Sequence, residues 1–397
     1  MSMRVAVIGQ GYVGLPLALE AAKAGFQVTG IETDQSRLDS IKNFRPTIEN
    51  IASEDVKTLI SSQMYKPLNE LPQSFQPDII CVCVPTPLNE FRKPDLSYLR
   101  EAIIQNCTGI KPGTLIIIES TIQPGATREV VLPLIERVSG LVQNEFLLAF
   151  SPERVDPMNR HWNLNNTPKL VAGISPKASE LAKFFYSKFI DEVFICSSVE
   201  IAEFSKLLEN SFRLINISFI NEMAILCNQL DIDISEVIQA ASSKPYGFMP
   251  FYPSLGAGGH CIPVDPLYLK DRAQRVGVPT AMIDLADQIN RDMPKYYVNQ
   301  AEIKLNGLNE KRILVIGVAY KPNVSDTRET SASYLIQGLR DKGAQVFWHD
   351  ELVMEWNGEK SVDLSNNYDL AILTSVHDSI DLKKLSAVPI LNTRNKI

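Results

Sequence analysis

The sequence of 397 residues has neither long apolar runs nor an excess of positive charge. No stretch reaches the roughly 18 apolar residues that a membrane-spanning helix needs, and the apolar run at residues 5–8 is far shorter than that of a secretion signal. With 46 acidic and 39 basic residues the net charge is −7, which argues against a nucleic-acid-binding surface. We therefore expect a cytoplasmic protein whose partners include neither nucleic acid nor a membrane.

Cysteine is too scarce for a disulfide framework, because six residues in a chain of this length cannot staple a large fold. Cys81 and Cys83 would share one face of a strand, and no second pair of cysteine or histidine residues accompanies them at metal-ligand spacing. We assign both cysteines to the core and expect no metal site. The length itself predicts two to three domains.

The first 32 residues have the pattern of a dinucleotide-binding unit. A strand-like run ends in Gly9-x-Gly11-x-x-Gly14, a helical pattern follows, and a second strand-like run ends at Glu32. In this motif the first glycine makes the tight turn, the second lets the backbone approach a pyrophosphate and the third lets helix and strand pack closely. A carboxylate at position 32 would accept hydrogen bonds from the adenosine ribose and repel a 2′-phosphate, so NAD is favoured over NADP. The alternative is a glycine-rich turn that binds no nucleotide.

Later strand-like runs alternate with helical patterns, which predicts an α/β fold with parallel sheets. Because such sheets bind ligands beyond the carboxyl ends of their strands, we expect Thr86, Thr121 and Glu153 to line a reaction cleft. The two threonines could instead be turn residues beside prolines. Glu153 could serve as a general base or cap the next helix, and Arg154 could hold an anion or keep the neighbouring carboxylate ionised.

An apolar stripe of helical period runs through residues 198–228 and predicts a helix of about 30 residues. A helix of that length, ~45 Å, would join two domains and leave a face for a partner subunit. Lys206, Asn210 and Arg213 share a different face. That face could simply be solvated, or Lys206 and Asn210 could together hold one oxygen and stabilise an oxyanion.

Cys261 follows three glycines within the stretch 256–265 and precedes Pro263 and Pro266. The prolines exclude the interior of a regular helix, so we expect a loop that presents one thiol. This thiol is a candidate nucleophile, and a small buried cysteine is the plainer alternative. The preceding segment, 244–253, is rich in proline and aromatic residues and is expected to wall a ligand pocket.

Residues 311–317 begin a second α/β unit that lacks a complete Gly-x-Gly-x-x-Gly turn. We therefore expect this unit to bind a nucleotide other than a dinucleotide, with Lys321 and Arg328 contacting anionic groups. The alternative is a purely structural unit whose charged residues only face solvent. The sequence of the unit does not choose between the two.

These motifs together resemble the UDP-glucose/GDP-mannose dehydrogenase family over nearly the whole chain. His260 and the Ser-Pro-Glu-Arg motif at residues 151–154 resemble the branch of the family that acts on UDP-N-acetylhexosamines. Within that branch, the 244–253 loop is more similar to N-acetylglucosamine enzymes than to N-acetylmannosamine enzymes. Met158, in place of a glycine, and Ser254-Leu255, in place of part of a Gly/Pro pattern, depart from the family. The motifs that carry the resemblance are the N-terminal fingerprint, Ser151-Pro152-Glu153-Arg154, Lys206 with Asn210, Gly-Gly-His-Cys-Ile-Pro-Val-Asp-Pro at 258–266 and Gly-Val-Ala-Tyr-Lys at 317–321.

The resemblance implies two Rossmann-like domains joined by a long central helix and a helical dimerisation domain. Residues 1–197 would bind NAD, residues 198–306 would carry the catalytic lysine and cysteine, and residues 307–397 would bind a UDP-sugar. The resemblance also implies a homodimer formed through the central helix, and a product used for surface polysaccharide biosynthesis.

The chemistry implied by the resemblance is a four-electron oxidation of the sugar C6 hydroxyl. Hydride transfer to NAD would give an aldehyde, Cys261 would trap it as a thiohemiacetal, a second hydride transfer would leave a thioester, and water would release the uronic acid. Lys206 and Asn210 would stabilise the oxyanions. Glu153 would be the base for hydrolysis, and Asp265 would orient Lys206 or a water.

Further contacts follow from the same resemblance, and no metal is among them. Cofactor contacts are expected at Gly9, Gly11, Tyr12, Val13, Gly14, Glu32, Arg37, Pro85, Thr86, Ser120 and Thr121. Substrate contacts are expected at Arg154, Lys206, Asn210, Arg213, Phe251, Tyr252, Gly258, His260, Lys321 and Arg328.

Several other functions compete with this one. The substrate could be UDP-N-acetylmannosamine or UDP-glucose. The chain could be a two-electron hydroxyacid-type dehydrogenase in which Cys261 is structural, or a non-catalytic nucleotide-sugar sensor that keeps NAD for structure. A cysteine hydrolase is disfavoured, because His260 and Cys261 are neighbours in an extended loop and would point apart.

Overall fold

The computed structural model describes residues 3–46, 48, 51–72, 74–156, 159 and 161–394, and these contain eleven α-helices and fourteen β-strands. The chain divides into two compact units, Met1–Leu208 and Glu209–Ile397. The boundary falls within a helix of 31 residues, close to the helix that the apolar stripe predicts. No helix within the described ranges is both long and apolar enough to cross a membrane.

The first unit is built on one eight-stranded sheet. Its strands are β1 (Arg4–Ile8), β2 (Gln27–Ile31), β3 (Tyr65–Leu68), β4 (Ile79–Val82), β5 (Leu115–Ile118), β6 (Leu147–Phe150), β7 (Lys169–Gly173) and β8 (Val193–Ile195). They lie in the order β3-β2-β1-β4-β5-β6-β7-β8. All neighbours pair in parallel except β6 and β7, which are antiparallel. The predicted parallel α/β sheet is confirmed, with this one antiparallel pair as a local exception.

The central strands are buried on both faces, which explains why β4 and β5 read as continuous apolar runs. Cys81 lies within β4 in this core and Cys83 packs against it, as predicted. The six helices of the unit are α1 (Gly14–Lys23), α2 (Gln35–Lys42), α3 (Ser53–Ser61), α4 (Ser97–Asn106), α5 (Leu132–Ser139), which follows a π-helical turn at Thr127–Val131, and α6 (Pro176–Tyr186).

The long helix α7 (Val199–Gln229) leads into the second unit. The remaining helices are α8 (Ile234–Ser242), α9 (Asp265–Arg275), α10 (Ala281–Leu305) and α11 (Ser331–Asp341). The strands are β9 (Arg312–Ile316), β10 (Gln345–His349), β11 (Glu355–Trp356), β12 (Glu359–Lys360), β13 (Leu370–Leu373) and β14 (Ile390–Asn392), with a 3₁₀ turn at Leu382–Leu385. Four strands form a parallel sheet in the order β10-β9-β13-β14, and β11 pairs with β12 in antiparallel fashion.

Local sequence signals determine where several helices begin. Ser175 accepts a hydrogen bond from a backbone N–H of the first turn of α6, and Pro176 then occupies the first helical position, where a missing N–H costs little. Asp233 caps α8 and Thr330 caps α11 in the same way. These caps satisfy N–H groups that have no partner inside the helix.

Candidate active site

The glycine-rich turn after β1 has the geometry that its sequence predicts. Gly9 has φ of +87°, and a Cβ there would lie 2.7 Å from the carbonyl oxygen of Cys83. A Cβ on Gly14 would lie 1.8 Å from the carbonyl oxygen of Gly9, so α1 can approach the turn only if residue 14 is glycine. A Cβ on Gly11 would meet no atom within 4 Å, which leaves this stretch of backbone open to a ligand.

The non-glycine positions of the motif hold the turn in place. The amide of Gln10 is buried, where its Nε2 donates to the carbonyl of Val7 at 2.8 Å and its Oε1 accepts from the Tyr65 hydroxyl at 2.7 Å. Tyr12 packs against the core of the unit, and Val13 stands at the N-cap of α1. The N-terminus of α1 therefore starts from a fixed position.

Glu32 follows β2, and its carboxylate is surrounded by donors. Oε1 accepts from the N–H of Asp34 at 2.9 Å, and Oε2 accepts from the N–H of Gln10 at 3.1 Å and from Nη1 of Arg37 at 3.0 Å. Arg37, a predicted cofactor contact, thus binds Glu32 itself. Within the described residues Oε1 retains a lone pair that a ribose hydroxyl can use. The turn, the helix terminus and this carboxylate fit a dinucleotide.

The other predicted cofactor residues lie after β4 and β5. Thr86 and Thr121 are half-buried at these strand ends, and Pro85 is exposed. Ser120 is different, because its side chain is buried and its hydroxyl donates to the carbonyl of Val84 at 2.7 Å. That bond ties the ends of β4 and β5 together and accounts for Ser120 without a cofactor.

Glu153, directly after β6, has a carboxylate held by its own backbone neighbours. Oε1 accepts from the N–H of Arg154 at 2.8 Å and from the N–H of Val155 at 2.5 Å, and Oε2 lies 3.4 Å from Nζ of Lys169. The next helix, α6, begins only at Pro176, so Glu153 is not its cap. The alternative of a helix cap is therefore wrong.

Lys169 supplies a positive charge beside Glu153. Burial by itself would raise the pKa of Glu153, but the ammonium of Lys169, the N–H of Val155 and the charge of Lys206 outweigh it and lower that pKa below its ordinary value. The guanidinium of Arg154 instead donates to the carbonyl of Pro168 at 2.8 Å. Arg154 itself helps to keep Glu153 ionised through its backbone N–H, which lowers the pKa of that carboxyl.

Lys169 has two further partners that no sequence pattern indicated. Its Nζ lies 2.6 Å from Oε2 of Glu119 and 5.3 Å from the ring centre of Tyr186, whose hydroxyl donates to the other oxygen of Glu119. Burial would lower the pKa of Lys169, but the two carboxylates raise it, while burial raises the pKa of Glu119. Glu119, Lys169, Tyr186 and Glu153 are called the buried charge cluster below.

Glu203, one turn before Lys206 on α7, is another residue that the sequence did not single out. Its carboxylate accepts from the N–H of Gly125 at 2.6 Å and from the N–H and hydroxyl of Thr127 at 2.8 and 2.6 Å. Burial raises the pKa of Glu203 to about 7, although these bonds oppose the shift. The segment that follows Thr121 is thereby fixed to the helix that carries Lys206.

In the second unit, Cys261 lies just before the N-terminus of α9. Its carbonyl oxygen accepts from the N–H groups of Asp265 at 2.8 Å and Val264 at 3.2 Å, and Pro266 fits into the first turn of the helix. The partial positive charge of a helix N-terminus favours a nearby thiolate. Cys261 is half-buried, unlike the fully buried cysteine that the structural alternative assumes.

The glycines before Cys261 belong to a tightly packed loop. Gly256 has φ of +122°, and a Cβ on Gly258 would lie 2.9 Å from the carbonyl oxygen of Glu329. Asn290 of α10 binds the loop twice, because its Oδ1 accepts from the N–H of Ala257 at 2.6 Å and its Nδ2 donates to the carbonyl of the same residue at 3.2 Å. The loop therefore holds Cys261 in a defined place.

Asn210 and Asp265 contact each other directly. Nδ2 of Asn210 donates to Oδ2 of Asp265 at 2.5 Å, and Asp265 is buried at the start of α9. The sequence predicted Lys206 or a water as the partner of Asp265, and Asn210 was not foreseen. Lys206 and Asn210 lie four residues apart within α7, as their spacing required, and Arg213 is exposed.

The predicted anion contacts of the second unit lie near the cysteine loop. Nε and Nη2 of Arg328 bind the carboxylate of Asp326 at 2.9 and 2.6 Å. Burial would raise the pKa of Asp326, but Arg328 and the nearby His260 lower it. His260 is exposed, and Nζ of Lys321 lies 5.8 Å from the ring centre of Tyr320.

The aromatic segment before the loop has two kinds of residue. Phe251 packs edge-on against Phe212 at 6.0 Å and joins the small core around α8, while Tyr252 is exposed. Leu255, one of the departures from the family pattern, is buried in the core of the unit. Met158, the other position of interest, lies outside the described residues.

Three domain models of the UDP-glucose/GDP-mannose dehydrogenase family match the chain. They are its NAD binding domain at residues 3–190, its central domain at 200–292 and its UDP binding domain at 314–396.

Individual proteins are similar over most of their length. The UDP-N-acetyl-D-glucosamine 6-dehydrogenase of Pseudomonas aeruginosa is 35% identical over 350 residues, which is 87% of this chain and 82% of the relative. A UDP-N-acetyl-D-mannosamine dehydrogenase of Methanococcus maripaludis is 32% identical over 354 residues, which is 87% of this chain and 79% of the relative. The structure of a UDP-N-acetylmannosamine dehydrogenase from Pyrococcus horikoshii matches with a TM-score of 0.90 at 30% identity, covering 100% of this chain and 96% of that one.

Proposed function

The chain belongs to the UDP-glucose/GDP-mannose dehydrogenase family and is an NAD-dependent dehydrogenase of UDP-sugars, and from that premise we propose that it oxidises the C6 hydroxyl of a UDP-N-acetylhexosamine to a uronic acid. The observation that supports this most is the placement of Cys261, half-buried, ahead of a helix N-terminus and on a loop clamped by Asn290. A thiol so placed is available to form a covalent bond with an aldehyde.

We assign NAD to residues 1–197, the catalytic lysine and cysteine to residues 198–306, and the UDP-sugar to residues 307–397. The open backbone at Gly11, the N-terminus of α1 and the anchored carboxylate of Glu32 would hold the dinucleotide. Among the remaining predicted contacts, Thr86 and Thr121 stand at strand ends of the same sheet. When bound, NAD supplies an acceptor for a hydride in each of two oxidations.

The residues of the chain carry the remaining chemistry. After the first oxidation, the Cys261 thiolate adds to the aldehyde carbon, so a C–S bond forms and the carbonyl electron pair moves onto oxygen. Lys206 and Asn210 donate hydrogen bonds to that oxyanion. The second oxidation leaves the sugar as a thioester of Cys261.

Hydrolysis then frees the enzyme. Glu153, ionised at neutral pH, takes a proton from a water that adds to the thioester carbonyl. The C–S bond breaks, Cys261 leaves as a thiolate, and the uronic acid is released. In total one alcohol, two NAD⁺ and one water give one carboxylate, two NADH and three protons.

UDP-N-acetylglucosamine is our first choice of substrate. His260 before the nucleophile resembles the N-acetylhexosamine branch, and within that branch the 244–253 segment is more similar to N-acetylglucosamine enzymes. The similar proteins divide between N-acetylglucosamine and N-acetylmannosamine at 35% and 32% identity, a difference too small to choose between the sugars.

A panel of UDP-N-acetylglucosamine, UDP-N-acetylmannosamine and UDP-glucose, assayed with NAD at 340 nm, tests the proposal. We expect two NADH for each uronic acid, and kcat/KM at least about tenfold higher for UDP-N-acetylglucosamine, which corresponds to about 1.4 kcal/mol of differential transition-state binding. One NADH per sugar would point to a two-electron dehydrogenase. Silence with every sugar, despite tight UDP binding, would identify a sensor, and a preference for another sugar would refute only the choice of substrate.

We also propose that the protein is a homodimer through α7. Six large apolar side chains on this helix are 44–55% exposed, namely Ile201, Phe204, Leu208, Phe212, Phe219 and Leu226. They are spaced three, four or seven residues apart, so they form one stripe that a second copy of the helix can cover. Analytical ultracentrifugation should give about twice the chain mass of 44.3 kDa, and a monomer at micromolar concentration would refute the dimer.

The cellular setting follows from the thiol chemistry. The six cysteines, all of them among the described residues, form no disulfide, and Cys261 has to stay reduced to act. We therefore place the enzyme in the cytoplasm, which keeps thiols reduced. Its uronic acid product, still joined to UDP, is an activated donor for glycosyl transfer, and we propose surface polysaccharide biosynthesis as its use.

A further inference from the structure

The pair of Glu119 and Lys169 is a buried charge pair that the proposed chemistry leaves without a function. The side chain of Lys169 is 4% exposed and that of Glu119 is 0% exposed. Removing two charges from water is costly, and apolar residues of similar size often replace such a pair without loss of stability. A buried pair beside a functional carboxylate is therefore a candidate for a functional role.

The antiparallel strand explains how Lys169 reaches Glu153. Lys169 is the first residue of β7, and β7 runs against β6, with Phe150 opposite Ala172. The start of β7 therefore lies at the carboxyl end of β6, where Glu153 follows, and Glu119 directly follows β5 at the same edge. A parallel β7 would place its first residue at the opposite edge of the sheet.

Access to solvent distinguishes the members of the buried charge cluster. The Glu153 side chain is 18% exposed, whereas those of Lys169 and Glu119 are nearly or fully covered. Glu153 is therefore the member that can meet a water molecule. The interior members hold Lys169 by an ion pair of 2.6 Å to Glu119 and by the ring of Tyr186.

We propose that Lys169, held by Glu119 and Tyr186, is the positioning residue that keeps Glu153 ionised and oriented as the base for thioester hydrolysis. This inference rests on the proposed function. Two carboxylates share one ammonium, so the cluster carries one net negative charge at rest. When Glu153 takes a proton from water, that charge becomes zero. Lys169 thus keeps the base ionised, and Glu119 prevents the ammonium from stabilising it so much that it no longer accepts a proton.

Another charged group of the first unit, Lys206 on α7, also acts on Glu153 and remains in place when Lys169 is changed. Cys83, after β4, is a neutral neighbour, because burial and the nearby carboxylates raise the pKa of its thiol. The N–H donors of Arg154 and Val155 are backbone groups that no side-chain substitution removes. A shift in the pH dependence of hydrolysis on changing Lys169 therefore reports the ammonium itself.

The first test is the pair of variants Lys169→Met and Lys169→Met/Glu119→Gln, the second of which also removes the Glu119 carboxylate that loss of Lys169 would leave unpaired. In single-turnover experiments with UDP-N-acetylglucosamine and NAD, both variants should release the uronic acid at least tenfold more slowly than the wild type at pH 7. The thioester on Cys261 should accumulate, which mass spectrometry of the intact protein detects. NADH formation should change less than threefold. In a plot of the acid-release rate against pH, the rise should occur at least one pH unit higher than in the wild type. The reason is that a carboxylate without a neighbouring ammonium loses its proton at a higher pH. Lys169→Arg should keep the wild-type inflection.

The single variant Glu119→Gln tests the role of Lys169 by a pH shift in the opposite direction. Lys169 then has Glu153 as its one carboxylate partner in the cluster, so the inflection should move to lower pH. A folded double variant with the wild-type inflection, or an upward or absent shift in Glu119→Gln, would overturn the role of Lys169. A wild-type protein that does not produce two NADH per sugar would instead refute the proposed function.

Discussion

Replacing Cys261 by alanine should abolish uronic acid release while leaving the first oxidation detectable. Alanine cannot bond to the aldehyde, so no thioester forms and the second hydride has no tetrahedral intermediate to leave from. We expect at most one NADH per active site in a single turnover. Steady-state acid formation should fall by about 10³-fold or more, which corresponds to about 4 kcal/mol of lost transition-state stabilisation.

Cys227→Ser serves as the control for this experiment. Cys227 is the other half-buried cysteine of the second unit, and it packs beside the small core around α8. Its loss should change acid release less than about twofold, since surface-proximal substitutions away from a site have small effects. Acid release by Cys261→Ala at the wild-type rate would exclude covalent catalysis, even if two NADH were still formed.

Local sequence patterns were sufficient to predict the cofactor turn. Gly9 and Gly14 are required by contacts with residues that are close in the chain or on the neighbouring strand, so their spacing carries the geometry. The strand β3 was missed, because its four residues include a proline and it lies at the edge of the sheet. The pattern of a short edge strand does not differ from that of a loop.

The partners of the charged residues could not be read from the sequence. Lys169 binds Glu119 across 50 positions, and Glu203 binds Thr127 across 76. Neither pair belongs to a repeat or motif, and an isolated glutamate or lysine usually lies at the surface. The sequence therefore singled out Cys261, Asn210 and Glu153 as candidates, but not the groups that hold Glu153 and Asn210 in place.

The turn after β9 in the second unit is held by another such long-range contact. Asp350 follows β10 as Glu32 follows β2, and it is 1% exposed. Its Oδ2 accepts from the N–H groups of Val318 at 2.9 Å and Ala319 at 3.3 Å, which belong to the turn after β9. The Asp350 carboxylate thus occupies backbone N–H groups that the phosphates of a dinucleotide would need. This is consistent with our expectation that the second unit binds a nucleotide other than a dinucleotide.

Asp350→Asn should therefore destabilise the second unit strongly. The other oxygen, Oδ1, accepts from the N–H groups of Leu352 at 2.9 Å and Val353 at 3.0 Å and lies 2.8 Å from Nε2 of His377. In asparagine an NH₂ group replaces one carboxylate oxygen, so it faces N–H donors that it cannot accept from. The substitution also removes the negative charge that strengthens all of these bonds. We expect a loss of about 3 kcal/mol in the free energy of unfolding, measured by urea titration of the full chain with UDP binding as the signal.

The pH dependence of the wild type checks the same contact independently. Burial would raise the pKa of Asp350, but His377 and the backbone donors lower it below the ordinary aspartate value. A carboxyl group whose pKa is lowered by folding contributes stability above its unfolded pKa, and that contribution is lost as the pH falls below about 4 toward the folded value. The second unit should therefore lose stability over this acid range, and Asp350→Asn should lose less, because it has no carboxylate to protonate.

Glu351→Gln is the matched control, since Glu351 is the exposed neighbour of Asp350 in the chain. It should alter the unfolding free energy by less than about 0.5 kcal/mol. NAD binding should survive in both variants, because the residues assigned to NAD belong to the first unit. If Asp350→Asn is no more destabilising than Glu351→Gln, then the turn after β9 does not depend on a carboxylate. The incomplete Gly-x-Gly-x-x-Gly turn would in that case be the remaining argument for a nucleotide other than a dinucleotide in the second unit.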